Sequence, residues 1–241
     1  ETLDLHNWDD MADISVCKSG QVLMAGTYKG SYVLWLTGKD RWLSILQGKP
    51  YRLMKKQNSN AAILSGLDYE HCQQLFNVNL NTGEVSKLDT PAQMRPSNLD
   101  CGPGNGYWVS DSLAYPEMYK YVNENGKVTG KCIDARLSVV DNFCYIAKDV
   151  AGTQNILLGI ASDERSIVAI DADTDEKMWE IKDSVGESEI QPTDITYSPT
   201  GNLYIAAGYR GVVVLKGATG EYVKDIQSTD KQIKAVRIDY D

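Results

Sequence analysis

The feature that most constrains this chain is an internal repeat. Residues 13–25 read DISVCKSGQVLMA and residues 194–206 read DITYSPTGNLYIA, and the two segments align without a gap at a constant offset of 181 residues. Each copy continues into a short turn flanked by glycine and then into another apolar run. Short β-branched and aromatic runs separated by Gly, Asn, Asp and Ser are typical of strands joined by tight turns. The repeated unit is therefore predicted to be an antiparallel meander.

Weaker copies of the unit fill the rest of the chain. A spacing of about 45 residues with four short strands is the signature of a β-propeller blade, because one sheet cannot bury both of its faces alone. We therefore predict a single domain over residues 1–241 that contains five units. The turn after the third apolar run recurs at Thr37-Gly38, Thr82-Gly83, Asn125-Gly126, Thr174-Asp175 and Thr219-Gly220. The units lie approximately at 10–47, 48–90, 91–133, 134–183 and 184–227.

In this organisation the units resemble those of the WD40 and NHL-type β-propellers. The stretch IDADTDEKMWEI (170–181) is similar to the strand-turn-strand of quinoprotein-like blades, whereas no unit carries the Gly-His and Trp-Asp pairs of a standard WD40 blade. The resemblance covers nearly the whole chain, as repeat architecture. It implies an all-β fold, a propeller of four-stranded antiparallel blades. It implies no activity, because one fold hosts many functions.

The two ends of the chain indicate an additional, partial blade. Residues 234–241 (KAVRIDYD) match the first strand of a unit, and residues 2–8 (TLDLHNW) form a candidate outermost strand. Together they predict a sixth blade that closes the ring and removes exposed sheet edges. Its two middle strands are not visible in the sequence. Three explanations remain, in order of preference: the strands lie outside this sequence, the ring closes in a modified five-bladed form, or a partner donates strands by β-augmentation.

The composition excludes several classes of function. With 33 acidic and 24 basic side chains the chain has a net charge of −9, which argues against general binding to nucleic-acid phosphates. No apolar run approaches the roughly 18 residues of a membrane span, so no membrane association is expected. The five cysteines form no CxxC pair. We therefore expect mostly buried free thiols, a reducing compartment and a cytoplasmic location.

Three stretches look like reactive or ligand sites but are better interpreted structurally. The loop Cys101–Gly106 contains G-x-G-x-G, but a strand follows it, so we expect a hairpin that needs the positive φ of glycine. The loop Asp171–Asp175 begins like a calcium loop but lacks the required Gly and bidentate Glu, so we expect a solvated acidic turn. His71 lies beside Cys72, but adjacent residues on a strand face opposite sides, so a catalytic Cys-His dyad is not expected. We interpret His71 as an ordinary surface histidine.

Aspartates at the starts of inner strands give the main alternative function. Asp13 and Asp194 are equivalent, and Asp100 or Asp141 would lie similarly, so they could hold channel calcium as in propeller hydrolases and lactonases. Their repetition favours a structural role instead, in which each carboxylate accepts backbone N–H groups at a strand entry. We accordingly predict no catalytic residue, no metal site and no cofactor.

Charge is unevenly distributed along the chain. Residues 39–56 have a local balance of +5, and residues 134–194 have one of −9. In a propeller these segments fall in different sectors of the ring, where opposed patches would steer a charged partner or form ordinary solvated faces. RNA binding, as in some NHL propellers, is a further alternative that depends on the basic segment alone. The acidic total disfavours it.

The turns between second and third strands supply the candidate partner-binding residues. In WD40-like propellers these turns share one face with the loops that enter each unit, and exposed Tyr and Arg are enriched at binding hot spots. We therefore predict a non-enzymatic propeller that binds a protein or peptide, as the recognition or scaffold domain of a larger protein. The candidates are Tyr28, Lys29, Arg52, Tyr69, Tyr209 and Arg210. The strand residues Trp35, Trp42, Trp108 and Trp179 are expected to pack between blades.

Overall fold

All regular structure in the described part of the chain is β. The computed structural model describes residues 8–16, 21–37, 42–55, 59–88, 95–102, 106–111, 118–123, 127–134, 139–147, 152, 154–161, 166–186, 188–227, 232–233 and 236. Within these ranges, five four-stranded antiparallel sheets and one two-stranded hairpin account for every strand. No helix that is long and apolar enough to cross a membrane occurs in the described residues.

Each four-stranded sheet pairs its strands in chain order. Blade 1 consists of β1 (Trp8–Val16), β2 (Val22–Tyr28), β3 (Ser31–Leu36) and β4 (Trp42–Ile45). Blade 2 consists of β5 (Pro50–Lys55), β6 (Ala61–Leu67), β7 (Gln73–Asn79) and β8 (Val85–Lys87). Blade 3 consists of β9 (Pro96–Cys101), β10 (Tyr107–Asp111), β11 (Met118–Val122) and β12 (Val128–Asp134). Blade 4 consists of β13 (Val139–Ile146), β14 (Ile156–Ala161), β15 (Ser166–Asp171) and β16 (Lys177–Lys182). The hairpin of β17 (Ser184–Val185) and β18 (Ser188–Glu189) precedes blade 5, which consists of β19 (Asp194–Tyr197), β20 (Asn202–Ala206), β21 (Val212–Lys216) and β22 (Tyr222–Ile226).

The sheets are arranged in a ring as a five-bladed propeller. The first strand of each blade packs beside the first strand of the next, from β1 to β5, β9, β13 and β19. This confirms the predicted all-β fold of four-stranded antiparallel blades. The predicted terminal strands, 2–8 and 234–241, lie outside the described residues except for Trp8 and Val236.

Apolar side chains fill the interfaces between successive blades. Neighbouring residues of a strand point to opposite faces of its sheet. In β6, accordingly, Leu64 belongs to the cluster between blades 1 and 2, and Ile63 belongs to the cluster between blades 2 and 3. Each fully buried aliphatic side chain of this kind stabilises the fold by about 1.5–3 kcal/mol. Blade packing is therefore the main source of stability.

The tryptophans in two strands pack between blades as predicted. Trp108 is buried in the cluster between blades 3 and 4, with its ring centroid 5.8 Å from that of Tyr121 and 6.3 Å from that of Tyr145. Trp179 in β16 donates its indole N–H to the backbone oxygen of Gly217 in blade 5, at 3.1 Å. The side chain of Trp42 is outside the described set.

The same turn joins the third and fourth strands of blades 2, 4 and 5. In each, a threonine hydroxyl accepts the backbone N–H of a glutamate two residues later, and the residue between them has a positive φ. The threonine–glutamate pairs are Thr82–Glu84 (3.2 Å), Thr174–Glu176 (3.4 Å) and Thr219–Glu221 (3.3 Å). The intervening residues are Gly83 (φ 80°), Asp175 (φ 67°) and Gly220 (φ 71°). The turn is therefore a repeated structural element.

Glycine in this turn also permits close contact with the preceding blade. A Cβ atom on Gly83 would overlap the backbone oxygen of Leu43 in β4. One on Gly220 would lie 2.9 Å from the Trp179 ring in β16. The fourth strand of one blade is thus covered by the turn of the next blade at both interfaces.

The strands on either side of the Cys101–Gly106 loop pair as a hairpin, as predicted, and residues 103–105 lie outside the described residues. The N–H of Gly102 donates to the oxygen of Gly106 at 3.0 Å, as a hairpin requires. Neither glycine has a positive φ. Instead, the Tyr121 ring lies against both, 3.0 Å from a Cβ atom placed on Gly102 and closer still to one placed on Gly106. Gly102 and Gly106 are thus constrained by close contact with Tyr121, and the expectation of a positive φ stays a prediction for Gly104.

The Tyr107 hydroxyl gives a test of the packing between blades 2 and 3. It is buried and has no hydrogen-bond partner among the described residues, and burial raises the pKa of the phenol above its ordinary value. An unsatisfied buried polar group costs about 1–3 kcal/mol. We therefore expect Tyr107→Phe to leave the free energy of unfolding unchanged or to raise it by up to about 1 kcal/mol, as measured by urea denaturation.

Tyr145→Phe is the matched control for this substitution. The Tyr145 hydroxyl donates to Oδ1 of Asn155 at 2.8 Å, so its removal is expected to cost about 1 kcal/mol. A destabilisation of Tyr107→Phe as large as that of the control would contradict the unpaired state of the Tyr107 hydroxyl.

Candidate functional site

The turns between second and third strands lie at one end of the propeller. Antiparallel pairing places Trp8, at the start of β1, opposite Tyr28, at the end of β2. The same relation pairs Asp194 with Ala206 in blade 5. Short connections between blades start and finish at this end as well. We call this end the entry face, and among the described residues it comprises 28–31, 46–49, 67–73, 183–186, 188–193 and 207–211.

Blade 1 contributes a tight hairpin turn to the entry face. Lys29 and Gly30 have φ values of 47° and 77°, as in the type I′ turns that suit the twist of a two-stranded ribbon. Asp9 Oδ2 accepts the N–H of Gly30 at 2.7 Å and anchors the turn. The exposed Lys29 places its ammonium group 5.1 Å from the centroid of the Tyr28 ring, which packs edge-on against Trp8. The turn therefore presents a cation held on an aromatic ring.

Blade 2 presents Tyr69, whose side chain is 71% exposed. The turn beneath it is organised by Asp68, whose Oδ1 accepts the N–H groups of Glu70 and Cys72, each at 2.9 Å. Its Oδ2 lies 3.3 Å from the Lys87 ammonium group. The hydrogen bond from Cys72, with smaller contributions from Lys87 and Glu70, lowers the pKa of Asp68, and the Glu70 carboxylate raises the pKa of Tyr69. A buried carboxylate therefore organises the backbone of the turn that carries the exposed Tyr69.

Among the described residues, one group has side chains of the types that bind metal ions: Asp68, Glu70 and Cys72. One ligand atom from each lies within 4.8 Å of the others. Both oxygens of Asp68 are already engaged by backbone N–H groups and by Lys87. The grouping follows from the turn and supports no metal assignment. His71, at φ 61°, is exposed in the same turn, as the sequence predicted.

Blade 5 presents Tyr209, which is 78% exposed, beside the largely enclosed Arg210. Arg210 forms a two-pronged ion pair with Asp225 in β22, with N–O distances of 2.9 and 3.1 Å. Its Nη1 also donates to the backbone oxygens of Val185 and Ser188, at 3.0 and 2.9 Å. Arg210 thus fastens the β17–β18 hairpin to the outer strand of blade 5.

Arg52 is likewise engaged within the protein. Its Nε donates to Oδ1 of the buried Asn98, in the first strand of blade 3. In the strand register of blade 2, Arg52 lies opposite Ser65, and in that of blade 1, Asp13 lies opposite Ala25. Arg52 is therefore the residue of β5 that corresponds to Asp13 of β1. It therefore joins neighbouring first strands. Of the six predicted binding residues, three are exposed on the entry face: Lys29, Tyr69 and Tyr209. Tyr28 is half-buried there, and both arginines make internal contacts, with Arg52 lying in β5 outside that face.

The inner-strand aspartates accept backbone N–H groups from the next strand along the ring. Asp13 Oδ2 accepts the N–H of Leu53 at 2.9 Å, and Asp100 Oδ2 accepts that of Tyr145 at 2.6 Å. Asp194 Oδ2 accepts the N–H of Val236 at 2.9 Å. This confirms the predicted structural role of Asp13 and Asp194. The side chain of Asp141 lies outside the described set.

The calcium-like loop of blade 4 is an acidic turn, as predicted. Asp171 Oδ1 accepts the N–H groups of Asp173 and Thr174, at 2.8 and 3.1 Å. The exposed Asp173 accepts from the Asn155 amide group at 3.0 Å. Local hydrogen bonding of this kind is the reason that aspartate is common in turns, and it accounts for Asp171 and Asp173.

Two features were missed by the sequence reasoning. No local sequence pattern identifies Asn98 as the hydrogen-bond partner of Arg52, because the two residues belong to different repeats. The exposure of Tyr222, Val223 and Ile226 in β22, at 43%, 42% and 46%, was also missed. Aligning units 4 and 5 on their Thr-x-Glu turns matches Val223 and Ile226 with the partly buried Met178 and Ile181, so the sequence carried no signal for this exposure. The cysteines differ as well, since Cys144 is buried whereas Cys72 is exposed, and both are free thiols.

The carboxylate link between blades 1 and 2 can be tested by mutation. Asp13 is only 8% exposed, and hydrogen bonds to charged groups contribute about 1.5–3 kcal/mol. We expect Asp13→Ala to lower the free energy of unfolding by that amount in chemical denaturation. Asp10→Ala, at an exposed position of the same strand, should change it by less than about 0.5 kcal/mol. Equal effects would show that the link contributes nothing.

The Asp68 turn predicts a defined pH dependence. A carboxyl group whose folded pKa is lowered stabilises the fold above its unfolded value, and this contribution is lost as the pH falls through the folded pKa. Carbon-detected NMR titration should give Asp68 a pKa below the ordinary value of 3.8, with the order of the Tyr69 turn lost as Asp68 protonates. Lys87→Met should move this pKa upward. A pKa at or above 3.8 in the parent protein would contradict the turn geometry.

Comparison with known structures supports the fold and assigns no family. The chain is similar to a protein of unknown function from Bacteroides caccae, with a TM-score of 0.62 and 14% identity over 98% of this chain and 88% of the other. It is also similar to the computationally designed Ika8 protein, with a TM-score of 0.56 and 15% identity over 95% of this chain and 65% of the other. No protein-family model and no curated protein matches the chain. At these identities the likeness shows the fold alone.

Proposed function

We propose that this propeller is a non-enzymatic binding module that takes a protein or peptide partner on its entry face. The observation that carries the proposal is the exposure of Tyr69 and Tyr209 at turn tips, at 71% and 78%. Tyrosine supplies a large, amphipathic contact area at a low cost in conformational entropy and is enriched at binding hot spots. We further propose that the module is the recognition or scaffold domain of a larger protein in a reducing, cytoplasmic compartment.

The rigidity of the turns supports this proposal. The Asp68 carboxylate and the Asp9 carboxylate hold the turns of blades 2 and 1 through backbone N–H groups. Lys29 and His71 adopt positive φ values, which non-glycine residues keep only where the surrounding structure imposes them. A partner would therefore meet side chains that are already positioned, which reduces the ordering cost of binding.

The charges on the entry face favour an oriented partner. Exposed Lys29 lies on blade 1, exposed Glu70 on blade 2, and exposed Glu189 in the hairpin before blade 5. Charges of both signs in separate sectors give a polypeptide with complementary charges a preferred orientation. The mixed pattern fits a protein or peptide better than a uniformly anionic ligand.

The structure indicates which residues a binding test should leave unchanged. Arg210 and Arg52 hold neighbouring elements together, so their truncation would disturb the entry face as well as any direct contact. The double substitution Tyr69→Ala and Tyr209→Ala removes exposed side chains only. After affinity capture and purification of a partner, we expect calorimetry to show binding weakened by about tenfold or more, with an unchanged melting temperature.

Lys216→Ala together with Glu221→Ala is the matched control. These residues form an exposed ion pair at the opposite end of blade 5, with N–O separation of 2.6 Å. Surface ion pairs contribute little stability, so the control should fold and bind like the parent protein. Parental affinity in the double tyrosine variant would place the binding site elsewhere.

A further inference from the structure

Ile233 and Val236, in the described part of the chain after blade 5, lie where the first strand of a following blade would lie. The backbone of Ile233 forms a pair of hydrogen bonds with Gly208, at 3.0 and 3.2 Å. The N–H of Val236 then donates to Asp194 Oδ2 at 2.9 Å, just as the N–H of Leu53 donates to Asp13 Oδ2. Blade 5 therefore uses the same link toward this segment that blade 1 uses toward blade 2.

The outer strand of blade 5 differs from the outer strand of blade 4. The equivalent turns Thr174–Glu176 and Thr219–Glu221 align the two strands, so that Val223, Lys224 and Ile226 correspond to Met178, Trp179 and Ile181. In blade 4 these three side chains are partly buried against the core shared with blade 5. In blade 5, Val223 and Ile226 are 42% and 46% exposed, and Lys224 is also exposed. We call Tyr222, Val223, Lys224 and Ile226 the outer patch.

At two described interfaces, between blades 1 and 2 and between blades 4 and 5, the outer strand is covered by a specific element. The turn of blade 2 contacts β4 through Gly83, and the turn of blade 5 contacts β16 through Gly220. Both turns join the third and fourth strands of a blade, and both bring a glycine against the preceding outer strand. The repeat therefore defines what fits the outer patch: a β-hairpin whose turn contains glycine.

We propose that the outer patch is a docking site for a β-hairpin of a partner polypeptide, which packs beside β22 as the third and fourth strands of a further blade. Lys224 replaces Trp179 at the point where the turn makes contact. A cation there is complementary to an acidic turn, such as the turn that blade 4 forms at Asp171–Glu176. The expected partner segment is an acidic, glycine-containing hairpin, and its site is separate from the entry face.

The chain itself supplies a suitable probe. The probe is a peptide of residues 166–182 with Asp175→Gly, closed by a disulfide between cysteines added at its ends so that the strands stay paired. We expect it to bind the full chain and to slow hydrogen exchange at the amides of Tyr222–Ile226. Calorimetry should show that Lys224→Glu and Ile226→Lys each weaken binding by about tenfold or more. The variant Tyr209→Ala, on the entry face, should bind the probe with parental affinity.

Exchanging the charges of the probe peptide and of residue 224 distinguishes specific recognition from non-specific hydrophobic binding. A second peptide with Asp173→Lys and Glu176→Lys in addition should bind the parent chain weakly and recover affinity for Lys224→Glu. The proposal would be overturned if the probe did not slow hydrogen exchange at the amides of β22. It would also be overturned if the Ile226→Lys variant bound the probe as tightly as the parent chain does. Sedimentation of the chain alone gives a further outcome: self-association that Ile226→Lys abolishes would assign the outer patch to a second copy and overturn the hairpin assignment.

Discussion

Every other feature of this protein depends on the packing of one four-stranded sheet against the next. A single blade has two apolar faces, as the neighbouring residues Ile63 and Leu64 of β6 show by contributing to different interfaces. Neither face can remain in water without a large cost in free energy. Stacking in a ring buries the faces that meet at each interface between successive blades and directs the strand ends, with their turns, to the two ends of the propeller.

Polar contacts then set the position of each blade relative to its neighbour. Carboxylates such as that of Asp13 cross from one first strand to the backbone of the next, and turn glycines such as Gly83 lie against the preceding outer strand. These contacts explain why aspartate and glycine recur in the repeat. The two candidate surfaces are also distinct. The tyrosines of the entry face lie at the tips of turns, outside the contacts between blades, whereas the outer patch lies on the face of β22 where the next blade would make such a contact.

Much of the fold could be predicted because the strands and turns follow from sequence patterns within each repeat. The recurring Thr-Gly turns and the short apolar runs indicated the blades, and the equivalence of Asp13 and Asp194 indicated their shared role as acceptors. The candidate site was predictable only in part. Tyr69 and Tyr209 lie in turns, where exposure follows from local geometry. The partners of Arg210 and Arg52 lie in other elements, so their internal contacts had no local signal.

The sequence by itself determined the strand order, the turn chemistry and the number of complete blades, because each follows from interactions within about 45 residues, the length of one propeller repeat. Only the tertiary structure decided which strand residues are exposed and which arginines are already engaged within the protein. Burial is a property of the assembled ring: the same strand position is covered at Trp179 and exposed at Lys224, although the two occupy equivalent places in their repeats. The difference arises from the neighbouring blade, which no single repeat encodes.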